Sequence, residues 1–89
     1  MMGPAPRKLA EVVMPEVGAA PAYLSVWFAE RGDEVYEGDR LVEVVVSGAT
    51  FDVPSPATGR LAEKLALPDD VLSPGQVLGF VEERTFEIQ

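Results

Sequence analysis

The chain contains neither cysteine nor histidine in its 89 residues. Without cysteine there are no disulfide staples, no thiolate metal sites and no cysteine nucleophile. Without histidine the commonest general base and metal ligand is gone, so Ser47, Ser55 and Ser73 have no imidazole to activate them. Positive charge is scarce: seven Lys and Arg stand against 15 Asp and Glu, for a formal net charge of −8. Such a chain repels phosphate backbones and anionic lipid, which argues against nucleic-acid and membrane partners. A basic protein patch is its electrostatic complement, although the same charge also serves plain solubility. No apolar run approaches the length of a membrane span, and the N-terminus has no signal-type apolar segment. A cytoplasmic setting is expected.

Long helices are also excluded, because eight prolines and eight glycines are spread along the chain. What remains is a composition 47% hydrophobic and 25% charged, ordinary for one small globular domain. The expected layout is a flexible N-terminal tail over 1–8, a domain over 9–84 and a C-terminal tail over 85–89. Short apolar runs separated by Gly, Pro, Asp and Ser read as strands over Leu9–Val13, Tyr23–Phe28, Leu41–Val46, Thr50–Val53, Arg60–Leu67 and Val77–Val81. Ala62–Leu67 has some helix propensity but is short and ends at Pro68. Ser47-Gly48 reads as a tight hairpin turn. The fold class is all-β.

An internal repeat supports this reading. A shift of 37 positions pairs Leu24 with Leu61, Ala29 with Ala66, Asp33 with Asp70, Gly38 with Gly75, Leu41 with Leu78 and Val44 with Val81. Each half then holds a strand, an Asp-bearing turn, a Gly-bearing turn and another strand. Two such halves predict a pseudo-twofold sandwich in which each buries the other's apolar face. Asp33 and Asp39 are placed to accept backbone N–H bonds in their turns. Asp69 stands where the first copy has Gly32.

Carboxylates are the remaining candidates for chemistry. Asp69-Asp70 sits in a turn, and Glu82-Glu83 on a strand points to opposite sides, so neither pair is arranged for acid–base work. No calcium-loop spacing is present. The chain is expected not to be an enzyme and to hold no metal.

Several segments together resemble the biotinyl/lipoyl domain family: Met14-Pro15-Glu16-Val17-Gly18, Trp27 five residues before Gly32-Asp33, Gly38-Asp39 followed by Leu41 and Glu43-Val44, Ala49-Thr50, Val53-Pro54-Ser55-Pro56-Ala57-Thr58-Gly59, and finally Gly75 and Leu78. Each motif alone is common, but their order and spacing over about 70 residues is specific. The missing Met-bearing flanks favour the lipoyl over the biotinyl branch. The resemblance implies a flattened barrel of two four-stranded antiparallel sheets, the barrel-sandwich hybrid, with a carrier hairpin at one end. It also implies lipoate, held by a lysine at the hairpin tip.

Here the chain departs from the family. Where lipoyl domains show Glu-Thr-Asp-Lys, this sequence has Val45-Val46-Ser47-Gly48, and Gly48 occupies the lysine position. A glycine has no amine to acylate, so no attached cofactor is expected. Of the two lysines, Lys8 falls in the expected tail and Lys64 in a strand, as an ordinary solvated residue. At least one of Val44, Val45 and Val46 must point outward. Val45, Val46, Ser47 and Gly48 are therefore the candidate partner-contact residues, and a charge at Val46 is expected to abolish binding while leaving thermal stability nearly unchanged.

The function expected is a non-catalytic lipoyl-like binding or assembly module. Its partner would be a protein, such as a dehydrogenase or acyltransferase component of a 2-oxo acid dehydrogenase or a related acyl- or carboxyl-transfer system. One alternative is a lipoyl carrier domain of a dihydrolipoyl acyltransferase. Another is a lysine-free adaptor domain of a transport-type protein.

Overall fold

The computed structural model describes residues 8–18 and 21–84. These form eight strands: β1 (Leu9–Val13), β2 (Ala22–Trp27), β3 (Glu34–Val35), β4 (Arg40–Val46), β5 (Ala49–Pro54), β6 (Gly59–Lys64), β7 (Val71–Leu72) and β8 (Val77–Glu83). They make two four-stranded sheets, ordered β1-β8-β6-β3 and β5-β4-β2-β7, with every pairing antiparallel. One core lies between them, and Val12, Met14, Leu24, Leu41, Val42, Val44, Leu61, Leu78 and Val81 are all fully buried in it. The expected N-terminal tail lies outside the described residues apart from Lys8, whose carbonyl accepts the Glu83 N–H at 2.8 Å. The expected C-terminal tail lies wholly outside them.

The repeat is built into the hydrogen bonding. Exchanging β1 with β5, β2 with β6, β3 with β7 and β4 with β8 converts one strand order into the other. The Gly32 N–H donates to the Leu61 carbonyl at 2.8 Å, and 37 residues on, the Asp69 N–H donates to the Leu24 carbonyl at 2.8 Å. Leu61 N–H to Asp33 O at 2.9 Å has its twin in Leu24 N–H to Asp70 O at 3.0 Å. Each of these bonds joins one half's turn to the other half's strand. A half alone would leave these donors and acceptors unpaired, so the two halves depend on each other.

Turn side chains repeat as well. Asp33 Oδ2 accepts the Glu30 N–H and Asp70 Oδ2 accepts the Leu67 N–H, both at 2.8 Å. Asp39 Oδ2 accepts the Tyr36 N–H at 3.2 Å, and in the second half Gln76 Oε1 accepts the Ser73 N–H at 2.9 Å. Asp69 adopts φ +74° where its counterpart Gly32 has φ +97°; aspartate is among the few non-glycine residues that tolerate this region.

Four elements differ from the sequence expectation by more than one residue at an end. β3 and β7, read as parts of turns, each pair for two residues, too short for a period-2 pattern to show. β6 stops at Lys64 rather than Leu67, because the N–H groups of Leu65 and Ala66 both turn to the Leu78 carbonyl, at 2.8 and 3.1 Å. β8 continues two residues past Val81, to Glu83.

Candidate functional site

β4 and β5 run in register to the tip, pairing Glu43 with Asp52, Val44 with Phe51, Val45 with Thr50 and Val46 with Ala49. Ser47 and Gly48 alone close the loop, with φ +50° and +80°. Two positive φ values in a two-residue loop define a type I′ turn, whose twist matches the flanking strands. A Cβ built on Gly48 meets no atom within 4 Å, so the position is open to solvent, but its backbone is one that favours glycine. The amide that holds lipoate in the resembled family needs a lysine Nζ. Gly48 supplies no side-chain atom, and the tip does not fit the group.

The two lysines stand elsewhere. The Lys64 side chain is 19% exposed, lies 3.2 Å from Glu30 and sits 5.7 Å from the centre of the Trp27 ring. It is a packed, paired residue rather than the solvated one expected from the sequence. Trp27 is itself pinned by its Nε1–H, which donates to the Ala66 carbonyl at 2.8 Å. The Lys8 side chain is 74% exposed, with Glu83 at 4.0 Å.

The valine run divides by strand alternation. Val44 is fully buried. Val46 pairs with buried Ala22 and packs, half-buried, against the core. Its expected role as a probe that is neutral for stability is therefore corrected: a charge there is driven into the sheet interface. Val45 is the outward member, opposite Tyr23 on one side and Thr50 on the other. Of the four candidate contact residues, Ser47 and Gly48 are exposed, Val45 and Val46 are half-buried, and Val46 packs on the core.

Sequence reasoning had not joined Tyr23, Val26 and Val71 to this surface. Tyr23 pairs with Val71 as well as with Val45, which makes an outward row Thr50–Val45–Tyr23–Val71 across four strands. Tyr23 is 44% and Val71 63% exposed. The next row holds Val26, Glu43 and Asp52. Tyr23 could have been found from its place between the inward Ala22 and Leu24. Val71 could not, because β7 gives no sequence signal.

A concavity of about 190 Å³ lies at the corresponding end of the other sheet, lined by Glu34, Gly59, Arg60, Glu82, Glu83 and Arg84. Arg84 is ion-paired with Glu34 across it. Among the described residues no group of three or more His, Cys, Asp or Glu is placed to hold a metal ion. Nor is any helix there long and apolar enough to cross a membrane.

Comparison with known proteins agrees with this geometry. The profile of the biotin/lipoyl family, described as "Biotin-requiring enzyme", matches residues 10–81, a span running from β1 into β8. The chain belongs to the biotinyl/lipoyl domain family. A lipoyl domain is a carrier domain and not itself catalytic. Similar proteins include the dihydrolipoyllysine-residue succinyltransferase component of the 2-oxoglutarate dehydrogenase complex of Bartonella vinsonii subsp. berkhoffii, 34% identical over 74 residues and covering 81% of this chain. The lipoamide acyltransferase component of the branched-chain alpha-keto acid dehydrogenase complex of Pseudomonas aeruginosa is 33% identical over 66 residues, covering 72% of this chain. The dihydrolipoyllysine-residue acetyltransferase component of the acetoin cleaving system of Pseudomonas putida is 32% identical over 60 residues, covering 67%. The chain spans only 18%, 15% and 16% of those three proteins, respectively.

Proposed function

We propose that this chain is a lipoyl-type module that carries no lipoate and acts by binding another protein. Its setting would be the cytoplasm, beside a 2-oxo acid dehydrogenase or a related acyl- or carboxyl-transfer system. One observation carries the reading: the hairpin that presents lysine in lipoyl domains is closed here by Ser47 and Gly48, both at positive φ. A transferase must bring a lysine amine to an activated acyl group with near-attack geometry, and the tip offers no amine. Paired Lys64, 19% exposed against the Trp27 ring, does not replace it.

A second reading, a true carrier domain, also fits the family, since the three relatives named above are acyltransferase components. On that reading the exposed amine of Lys8 is the one available for acylation. Intact mass separates the two. After co-expression with a lipoyl ligase and lipoate, the natural chain is expected to keep its unmodified mass while a Gly48→Lys variant gains one lipoyl group. A lipoyl mass on the natural chain would establish the carrier reading instead.

A further inference from the structure

The two halves of the molecule provide an internal control for what the fold requires. The pseudo-twofold carries Val71, Tyr23 and Val45 onto Glu34, Arg60 and Glu82, which form the equivalent row in the other sheet. The positions match strand for strand, yet one row reads Val-Tyr-Val and the other Glu-Arg-Glu. The charged row alternates in sign, Arg60 standing between two glutamates, and it serves the same backbone geometry. Leu9, 51% exposed, ends the charged row on β1, but at the three matched positions the fold does not need apolar side chains, and the valine–tyrosine–valine run calls for another cause.

The neighbouring row adds a second asymmetry. Glu43 and Asp52 lie directly opposite one another on β4 and β5. Like charges so placed destabilise a sheet. No ion pair relieves them among the described residues, whereas Glu30, Glu34 and Glu83 each have a cation. Arg40, the nearest cation along β4, stacks instead over the Phe28 ring at 4.3 Å. Successive rows are separated by roughly 7 Å along a strand, so the unrelieved carboxylates border the apolar row.

We propose that this outer face, centred on Val71, Tyr23 and Val45 and edged by Glu43 and Asp52, docks a partner protein through an apolar patch bordered by arginine or lysine. The proposal rests on the binding-module reading and moves its contact surface from the turn to the sheet. Charge selects the occupant. A second copy would bring its own Glu43 and Asp52 to the interface and its own net charge of −8, which opposes self-association. An arginine fork or lysine ammonium between Glu43 and Asp52 converts their repulsion into two charge-assisted bonds. Tyr23, a large side chain at the centre of the row, is the expected anchor.

The test is an amide-shift titration of the isotope-labelled chain with two short amphipathic peptides, one of leucine and arginine, the other of leucine and glutamate. The arginine peptide is expected to shift Tyr23, Val26, Glu43, Val45, Asp52 and Val71 saturably while leaving Arg60 and Glu82 unmoved, and the glutamate peptide to shift neither set. Tyr23→Lys and Val71→Lys should each weaken the effect by about tenfold or more, and Gly48→Lys should leave it intact. Equal shifts on both sheets would mean nonspecific attraction to an acidic protein and overturn the proposal, as would the absence of saturable shifts. Concentration-dependent shifts of the same amides without peptide would put a second copy on the face and also overturn it. The mass measurement on the natural chain is independent. A lipoyl gain there refutes the binding-module reading, whereas a failed titration with unmodified mass refutes only the docking face.

Discussion

Replacing Gly48 tests the tip geometry on which the functional reading stands. At φ +80° a residue bearing a Cβ sits in the left-handed region, at a cost of roughly 1–2 kcal/mol. Steric contact adds nothing, because no atom lies within 4 Å of the new Cβ. Loss of glycine's freedom in the unfolded chain returns roughly 0.4–1 kcal/mol. The net expectation for Gly48→Lys is destabilisation by about 1 kcal/mol, a fall in Tm of roughly 4–8 °C for a domain of this size. Gly48→Ala should match it, since both pay only the backbone term. Gly48→Asn should cost less than either, as asparagine tolerates positive φ. Thermal unfolding followed by circular dichroism ranks the four proteins. If the lysine and alanine variants melt with the parent, the turn is free to leave its type I′ form and the argument from Gly48 geometry fails.

Adjacent valines should behave oppositely: Val46→Lys should cost about 2 kcal/mol in urea unfolding because its side chain packs on the core, and Val45→Lys under about 0.5 kcal/mol. Trp27→Phe removes the 2.8 Å bond to Ala66 and leaves a buried carbonyl unpaired; chemical denaturation should register a loss of about 1–3 kcal/mol. Asp33→Ala and Asp70→Ala remove equivalent turn bonds from the two halves. Each should cost about 1 kcal/mol, and the double variant should be additive within about 0.5 kcal/mol, a larger departure showing that the turns are coupled. Asp52→Lys replaces repulsion across β4 and β5 with attraction and should raise stability by up to about 1 kcal/mol, while weakening binding of the arginine peptide. A loss of stability would contradict the like-charge argument.

Much of this was legible in the sequence, for identifiable reasons. β1 was placed to the residue, and the strands of the central hairpin to within one, because their apolar runs are bounded by turn residues and the repeat reinforces them. The turn at Ser47-Gly48 was readable because its chemistry is local. β3 and β7 were not readable, since a two-residue pairing leaves no periodic trace. Without β7 the partner of Tyr23 on that side could not be known, and the apolar row remained invisible. The inward turn of Val46 was lost for a different reason: three successive valines carry no alternation, and only the pairing with Ala22 assigns their faces. Lys64 looked like an ordinary strand lysine because the Trp27 ring and Glu30 that hold it come from another part of the chain.

The duplicated architecture separates two kinds of constraint that a single-copy fold would leave mixed. Features present in both halves are those the barrel demands: buried leucines at 24 and 61 and at 41 and 78, aspartate caps at 33 and 70, and the reciprocal turn-to-strand bonds. Features present on one sheet only are free of that demand. The valine–tyrosine–valine row and the unrelieved Glu43–Asp52 pair are both of the second kind, and both lie on the same face, leading up to the lysine-free turn. Neither is demanded by the fold: the equivalent charged row supports the same pairing without valine and tyrosine, and opposed carboxylates cost stability in a domain small enough to have little to spare. Two departures that the fold does not demand, brought to one surface, are both accounted for when something apolar and basic covers them. That convergence, rather than the exposure of any single residue, is why the sheet face and not the turn is the place to look for the partner.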